Sequence, residues 1–183
     1  MSASRSRYST AAILLHWTIA ALIIFQFAYM FFFIENLERG DPAMGSAYEL
    51  HKSIGITILA LTLVRLVMRL TEGFKPLPAH MAPWEVFLAR FTHIAFYMLL
   101  LIVPLTGWIF AVSPDRGLDL FGLFPVPDLG IGVRDAAHEL HELLVWPFIL
   151  LIVLHIVGAL KHHFIDRDEV LARMLPFLSS RRV

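Results

Sequence analysis

The chain has 183 residues, of which 58% are hydrophobic and 16% charged, and its mean hydropathy is +0.71. An ordinary soluble domain carries about a quarter charged residues, so this composition excludes one and indicates a membrane protein. Formal net charge is zero, which gives no pull towards nucleic acid, and the lack of cysteine excludes disulfides, iron–sulfur clusters, thiolate zinc and covalently attached haem.

A membrane-crossing helix needs about 20 mostly apolar residues, and four runs reach that length. The first, residues 11–34, follows Ser9 and holds His16 near its start; it lacks a small-residue cleavage site and reads as a retained helix. A polar connection, "ENLERGDPAMGSAYE", leads to the second run, residues 50–70, which opens on His51 and carries Gly55, Arg65 and Arg69. After "TEGFKPLPAHMAP", with His80 in the loop, comes the third run, residues 87–112, containing His93 and Pro104. The long connection "SPDRGLDLFGLFPVPDLGIGVRD" has an apolar patch, residues 118–124, expected to lie on the membrane surface. The fourth run, residues 140–164, holds His141, Pro147, His155 and Gly158 and ends in Lys161, His162 and His163. Prolines inside such helices are tolerated. The expected fold is therefore all-α, a single integral membrane four-helix bundle over residues 1–183.

Basic residues give the orientation. Eleven Lys and Arg fall at the N-terminus, the second connection with its flanks and the C-terminus; four (Arg39, Lys52, Arg116 and Arg134) fall on the other side, with ten of the fifteen carboxylates. The positive-inside rule places both termini in the cytoplasm.

Ionisable residues inside membrane spans are costly and face the bundle interior, so the histidines carry the functional argument. His141 and His155 are 14 residues apart, close to four helical turns, so they share a face about 21 Å apart along the axis. His138 lies roughly 100° off that face. By depth, His16 matches His155 near the cytoplasmic side and His51 matches His141 near the outer side. Two imidazoles from facing helices suit a six-coordinate haem iron, and without thiolates the group is non-covalent haem b. Gly55 and Gly158 lie on the histidine faces, where small residues admit a flat macrocycle or a close helix contact. Arg65, 14 residues after His51, reaches the depth of the inner pair, and Arg69 lies one turn on; either guanidinium suits a haem propionate, with simple snorkelling the plainer role. His93, without a depth-matched partner, His80 and His138 are assigned structural roles. Trp84, Trp108 and Trp146 lie near span ends, as an interfacial belt requires. "HELHE" looks like a zinc-protease helix, but its histidines are at i and i+3 instead of i and i+4, with no third ligand.

"RYSTAAILLHW", "HKSIGITILALTLVRLVMRL", "HELLVWPFILLIVLHIVGALKHHF" and "LARMLP" together resemble the prokaryotic cytochrome b561 family, over about residues 7–176. The resemblance implies a bacterial inner-membrane, multi-pass cytochrome with two b haems that exchanges electrons with quinone. It implies axial ligands His16 and His155 for the cytoplasmic haem and His51 and His141 for the outer haem. His138 is a departure from the family pattern.

The expected function is transmembrane electron transfer from an outer small-molecule or protein donor, superoxide among the candidates, to membrane quinone at the cytoplasmic side. Quinone reduction consumes protons, which points to His162, on the His155 face, with Lys161; Ser9 could hydrogen-bond a quinone carbonyl. Lys52, Arg116 and Arg134 could form a local positive mouth for an anionic donor, although the outer side is acidic as a whole. A haem-bearing anchor of a periplasmic hydrogenase- or formate-dehydrogenase-type complex is the alternative, with residues 115–132 as its docking surface. A histidine-lined proton or metal conductor is a third class. A homodimer is compatible with the sequence.

Overall fold

The computed structural model describes residues 8–73, 75–113 and 117–181. Arg5, Arg7, Asp115, Arg116 and Arg182, which enter the charge count, the outer mouth or the expected docking surface, lie outside them.

Four long helices form the bundle: α1 (Thr10–Phe32), α2 (Ala43–Glu72), α3 (Pro83–Ala111) and α4 (Arg134–Lys161). Each is long and apolar enough to cross a bilayer. The helices start before the apolar runs, most in α2 and α4, because hydropathy marks the embedded part while backbone hydrogen bonding continues into polar sequence; α2 also ends past its run, whereas α1, α3 and α4 end short of residues 34, 112 and 164. Ser9 caps α1 by accepting the Ala12 N–H at 3.2 Å. Glu85 closes the first turn of α3 by accepting the Ala82 N–H, with Pro83 opening the helix. A π-helical turn, His162–Asp166, follows α4, and 3-10 turns occupy Ile34–Asn36 and Pro176–Arg181.

The connection between α3 and α4 contains a short antiparallel hairpin, β1 (Asp119–Leu120) with β2 (Phe124–Pro125). Two-residue strands leave no periodicity to read, and nothing in the apolar pattern marks them. Leu118 is buried, whereas Phe121, Leu123 and Phe124 are exposed. The hairpin is held on α2 by a hydrogen bond from Phe121 N–H to the buried Ser53 Oγ at 3.0 Å.

Backbone-to-backbone packing joins α1 to α2, α2 to α3 and α3 to α4. By contrast, among the described residues α4 meets α1 and α2 through side chains alone. The core is a layer of Ile19, Ile23, Ile54, Ile58, Leu100, Val103 and Phe148. Phe148 sits midway in sequence between His141 and His155, and Phe27 and Phe96 pack edge-on against it at 5.6 and 6.2 Å. An apolar layer therefore separates two histidine levels.

Candidate functional site

His51 on α2 faces His141 on α4 with ring centroids 6.3 Å apart and planes at 74°. His16 on α1 faces His155 on α4, again at 6.3 Å, with planes at 69°. The pairs that helical arithmetic and depth select are the pairs that the fold brings together.

At the first level, His141 Nδ1 donates to the Val103 carbonyl at 2.8 Å. A carbonyl can only accept, so this bond sets the tautomer and leaves Nε2 as the free lone pair. Gly107 on α3 makes room for that ring: a Cβ there would lie 3.1 Å from His141 Cε1 and 3.2 Å from its Nδ1. Gln26 Nε2 donates to the His51 carbonyl at 2.7 Å, while His51 Nδ1 is buried and without a hydrogen-bond partner. His138 is half exposed, lies 3.3 Å from Glu142 Oε1 and packs at a steep angle on Phe110, whose ring also packs on His141. Arg134, expected at an outer mouth, donates to the Phe110 and Val112 carbonyls and so ties the start of α4 to the end of α3.

At the second level the structure corrects one expectation. His93 does have a depth-matched neighbour: its ring centroid is 6.0 Å from that of His155, with planes at 86°. Its Nδ1 donates to the Ala89 carbonyl at 2.6 Å. The rotation of α3 about its axis decides this contact, and single-sequence periodicity does not supply it. Arg65 Nη1 donates to the Ala12 carbonyl at 2.8 Å, and Arg69 lies over the Tyr8 ring with Nη1 3.3 Å from its hydroxyl. Tyr8, Arg65, Arg69, Glu72 and Tyr97 line a cleft at this end. The Trp17 indole donates to the Met174 carbonyl at 2.9 Å, which holds the C-terminal segment beside α1.

The residues expected to serve a quinone fall into two groups. Ser9 Oγ donates to Glu72 Oε1 at 2.9 Å, across the α1–α2 seam. Lys161 pairs instead with Glu85 and with Asp166, the latter at 2.8 Å, and His162 Nδ1 lies 2.7 Å from Asp168 Oδ2. A Cβ at Gly55 would meet only Gln26 Nε2, at 3.8 Å, and one at Gly158 would meet nothing within 4 Å.

Do these residues fit a haem? An imidazole nitrogen lies about 1.1 Å from its ring centre and binds a first-row metal ion at about 2 Å. Two axial imidazoles on one iron therefore place their ring centroids about 6.3 Å apart, which is the separation in both pairs. The donor chemistry agrees: both facing pairs are imidazoles, and the chain has no thiolate to compete. The helices that carry the facing rings are also the ones whose backbones stay apart.

A membrane four-helix bundle with two facing imidazole pairs is the frame of a b-type membrane cytochrome. The sequence pattern of the prokaryotic cytochrome b561 family matches residues 7–177, and the chain belongs to that family. It is 35% identical to cytochrome b561 homolog 2 of Escherichia coli strain K12, over 95% of this chain and 94% of that one. It is 27% identical to a probable superoxide oxidase, CybB, of Yersinia pestis, over 93% of this chain and 96% of that one. To cytochrome b562 of Cereibacter sphaeroides it is 29% identical, over 92% and 94% of the two chains. Membership makes it a multi-pass bacterial inner-membrane protein that binds haem b and takes part in electron transfer.

Proposed function

We propose that the chain holds two b haems, one at each histidine level, and carries electrons across the bilayer from a donor at the outer face to quinone at the cytoplasmic face. The observation that carries this reading is the pair of 6.3 Å imidazole separations, on one face of α4 and 14 residues apart. Haem b would supply a reversible one-electron carrier at each pair. His51 and His141 would hold the outer group, His16 and His155 the cytoplasmic one.

The surrounding residues then have definite tasks. Val103 and Gly107 fix the His141 ring, and the Ala89 carbonyl fixes His93 beside His155. Arg65 and Arg69 sit at the depth of the cytoplasmic pair, where guanidinium groups can receive propionates. Gly55 and Gly158 keep the faces beside the histidines free of bulk.

Quinone reduction takes two electrons and two protons. Among the candidate quinone residues, Lys161 and His162 stand in a chain of ionisable groups suited to proton supply, whereas Ser9, bound to Glu72 and to the α1 cap, suits a structural role or a carbonyl contact. The relative named as a probable superoxide oxidase supports superoxide as donor.

A pyridine haemochrome count and dithionite-reduced spectrum test the assignment. Two haems per chain are expected, with His16→Ala or His155→Ala removing one and His51→Ala or His141→Ala removing the other. No haem α-band, or four variants that all retain the wild-type count, would refute it.

A further inference from the structure

Beyond the end of α4 the chain builds a compact group of ligand-type side chains. Arg167 adopts a left-handed conformation, φ 54° and ψ 38°, which turns the backbone so that the Asp168 N–H bonds the His162 carbonyl at 3.1 Å. The Asp168 carboxylate is thereby returned to the His162 ring. Its side chain is only 5% exposed. Oδ1 is taken by the Val170 N–H at 2.8 Å, which leaves Oδ2 presented to two imidazoles: His162 Nδ1 at 2.7 Å and His80 Nε2 at 3.3 Å. Asp166 Oδ2 lies 3.0 Å from the same His162 nitrogen. His162, Asp166 and Asp168 each offer a ligand atom, and the three atoms lie within 4.8 Å of one another.

We propose that His80, His162, Asp166 and Asp168 form a binding site for one divalent transition-metal ion of the zinc class, separate from the haem positions. Donor identity is the first reason. Two imidazole nitrogens and two carboxylate oxygens suit a borderline ion, whereas magnesium and calcium call for six or more oxygens. Spacing is the second. Metal–ligand bonds of about 2.1 Å in a tetrahedron set neighbouring ligand atoms about 3.4 Å apart. The 2.7 and 3.0 Å from His162 to the two carboxylates need only a slight outward shift, while the exposed His80, 3.3 Å from Asp168 and outside the 4.8 Å group, swings in to complete the set. Charge is the third. Two carboxylates match a divalent ion, and the neighbouring Lys161 ammonium is already balanced by Glu85.

Asp168 is held from behind, as bound carboxylates in metal sites usually are, by the Val170 N–H on its other oxygen. The Lys161 ammonium lies 2.8 Å from Asp166 Oδ2 itself, so an entering ion displaces it towards Glu85, its other partner. His80, with a side chain 59% exposed, belongs to the connection between α2 and α3 and gives an ion a way in without opening the bundle. The competing occupant is a proton shared between the His162 ring and the carboxylates. An ion held here would occupy His162 and leave Lys161 as the proton-supplying group of that chain; because its binding is measured without quinone, failure of the zinc test leaves the two-haem reading untouched.

The test uses the haem-loaded full chain in detergent, with any purification histidines removed. Equilibrium dialysis against zinc chloride in excess magnesium is expected to give one zinc per chain, and zinc-edge X-ray absorption is expected to show imidazole scattering. Asp168→Asn removes a buried, bonded carboxylate and can disturb the terminal turn, so His80→Ala and Asp166→Asn carry the decision. With haem content unchanged, each is expected to weaken zinc binding at least tenfold. No zinc retained in excess magnesium, or zinc retained equally by wild type, His80→Ala and Asp166→Asn, overturns the site.

Discussion

Gly107 shows how one residue can control the setting of a histidine ring carried by a neighbouring helix. Its missing Cβ leaves His141 free to donate to Val103, and an added methyl would stand 3.1 Å from the ring. Alanine there asks the imidazole to move by a few tenths of an ångström. Valine puts branched bulk against a ring that is already anchored, and overpacking of that kind costs about 1–3 kcal/mol. Gly107→Val is therefore expected to lower the haem count from two towards one per chain, with the spectrum of the remaining haem unchanged. A Gly107→Val protein with the wild-type haem count and potentials would show that the ring has room to spare. The four paired histidines were legible in the sequence because their spacing lies within one helix or at a definite depth. Gly107 and His93 were not, since both act on a ring carried by another helix. Gly55 and Gly158 stand out by their position on their own helices; a Cβ at Gly55 would make only ordinary contact with Gln26 of α1, at 3.8 Å, and one at Gly158 would meet nothing within 4 Å.

At the scale of elements, two serines join parts that the apolar pattern treats as separate. Ser9 caps α1 and also bonds Glu72 on α2. Ser9→Ala removes both, and loss of the cap alone costs about 1 kcal/mol. The expected result is a lower temperature for thermal haem release, followed through the Soret band, with quinone KM unchanged. A raised KM at unchanged thermal stability would instead place Ser9 in contact with quinone. Ser53 holds the hairpin through the Phe121 N–H, and Phe121 has the positive φ, 52°, that bulky residues rarely adopt. Ser53→Ala leaves that N–H without its partner, at a cost of about 1 kcal/mol. Faster hydrogen exchange at the amides of residues 120–124 is expected while the helices keep their protection. Unchanged exchange there would mean that Leu118 burial alone seats the hairpin. The helices were legible because hydropathy and length coincide in them. Neither serine bond was, because one short polar side chain carries no periodic signal.

For the whole molecule, the bundle has two ends and two histidine levels but no sign: its helices fit a bilayer equally well either way up. Direction has to come from the charges outside the spans. In the sequence, eleven Lys and Arg belong to the terminal segments and the α2–α3 connection with its flanks, against four in the other two connections and their flanks. The potential and the insertion machinery both favour keeping the basic side in the cytoplasm. Under the proposed function that assignment decides which histidine pair faces the external donor, because exchanging the ends would make His51 and His141 the cytoplasmic pair. A green fluorescent protein fused after residue 183 is expected to fluoresce. Alkaline phosphatase inserted between residues 37 and 42 is expected to be active, while the same enzyme inserted between residues 75 and 80 is expected to be inactive. If those two insertions exchange activities, the electron path runs in the opposite sense through the same four histidines. His162 and Lys161 would then supply protons from the periplasm, and any cytoplasmic quinone chemistry would have to be sought at the His51–His141 end.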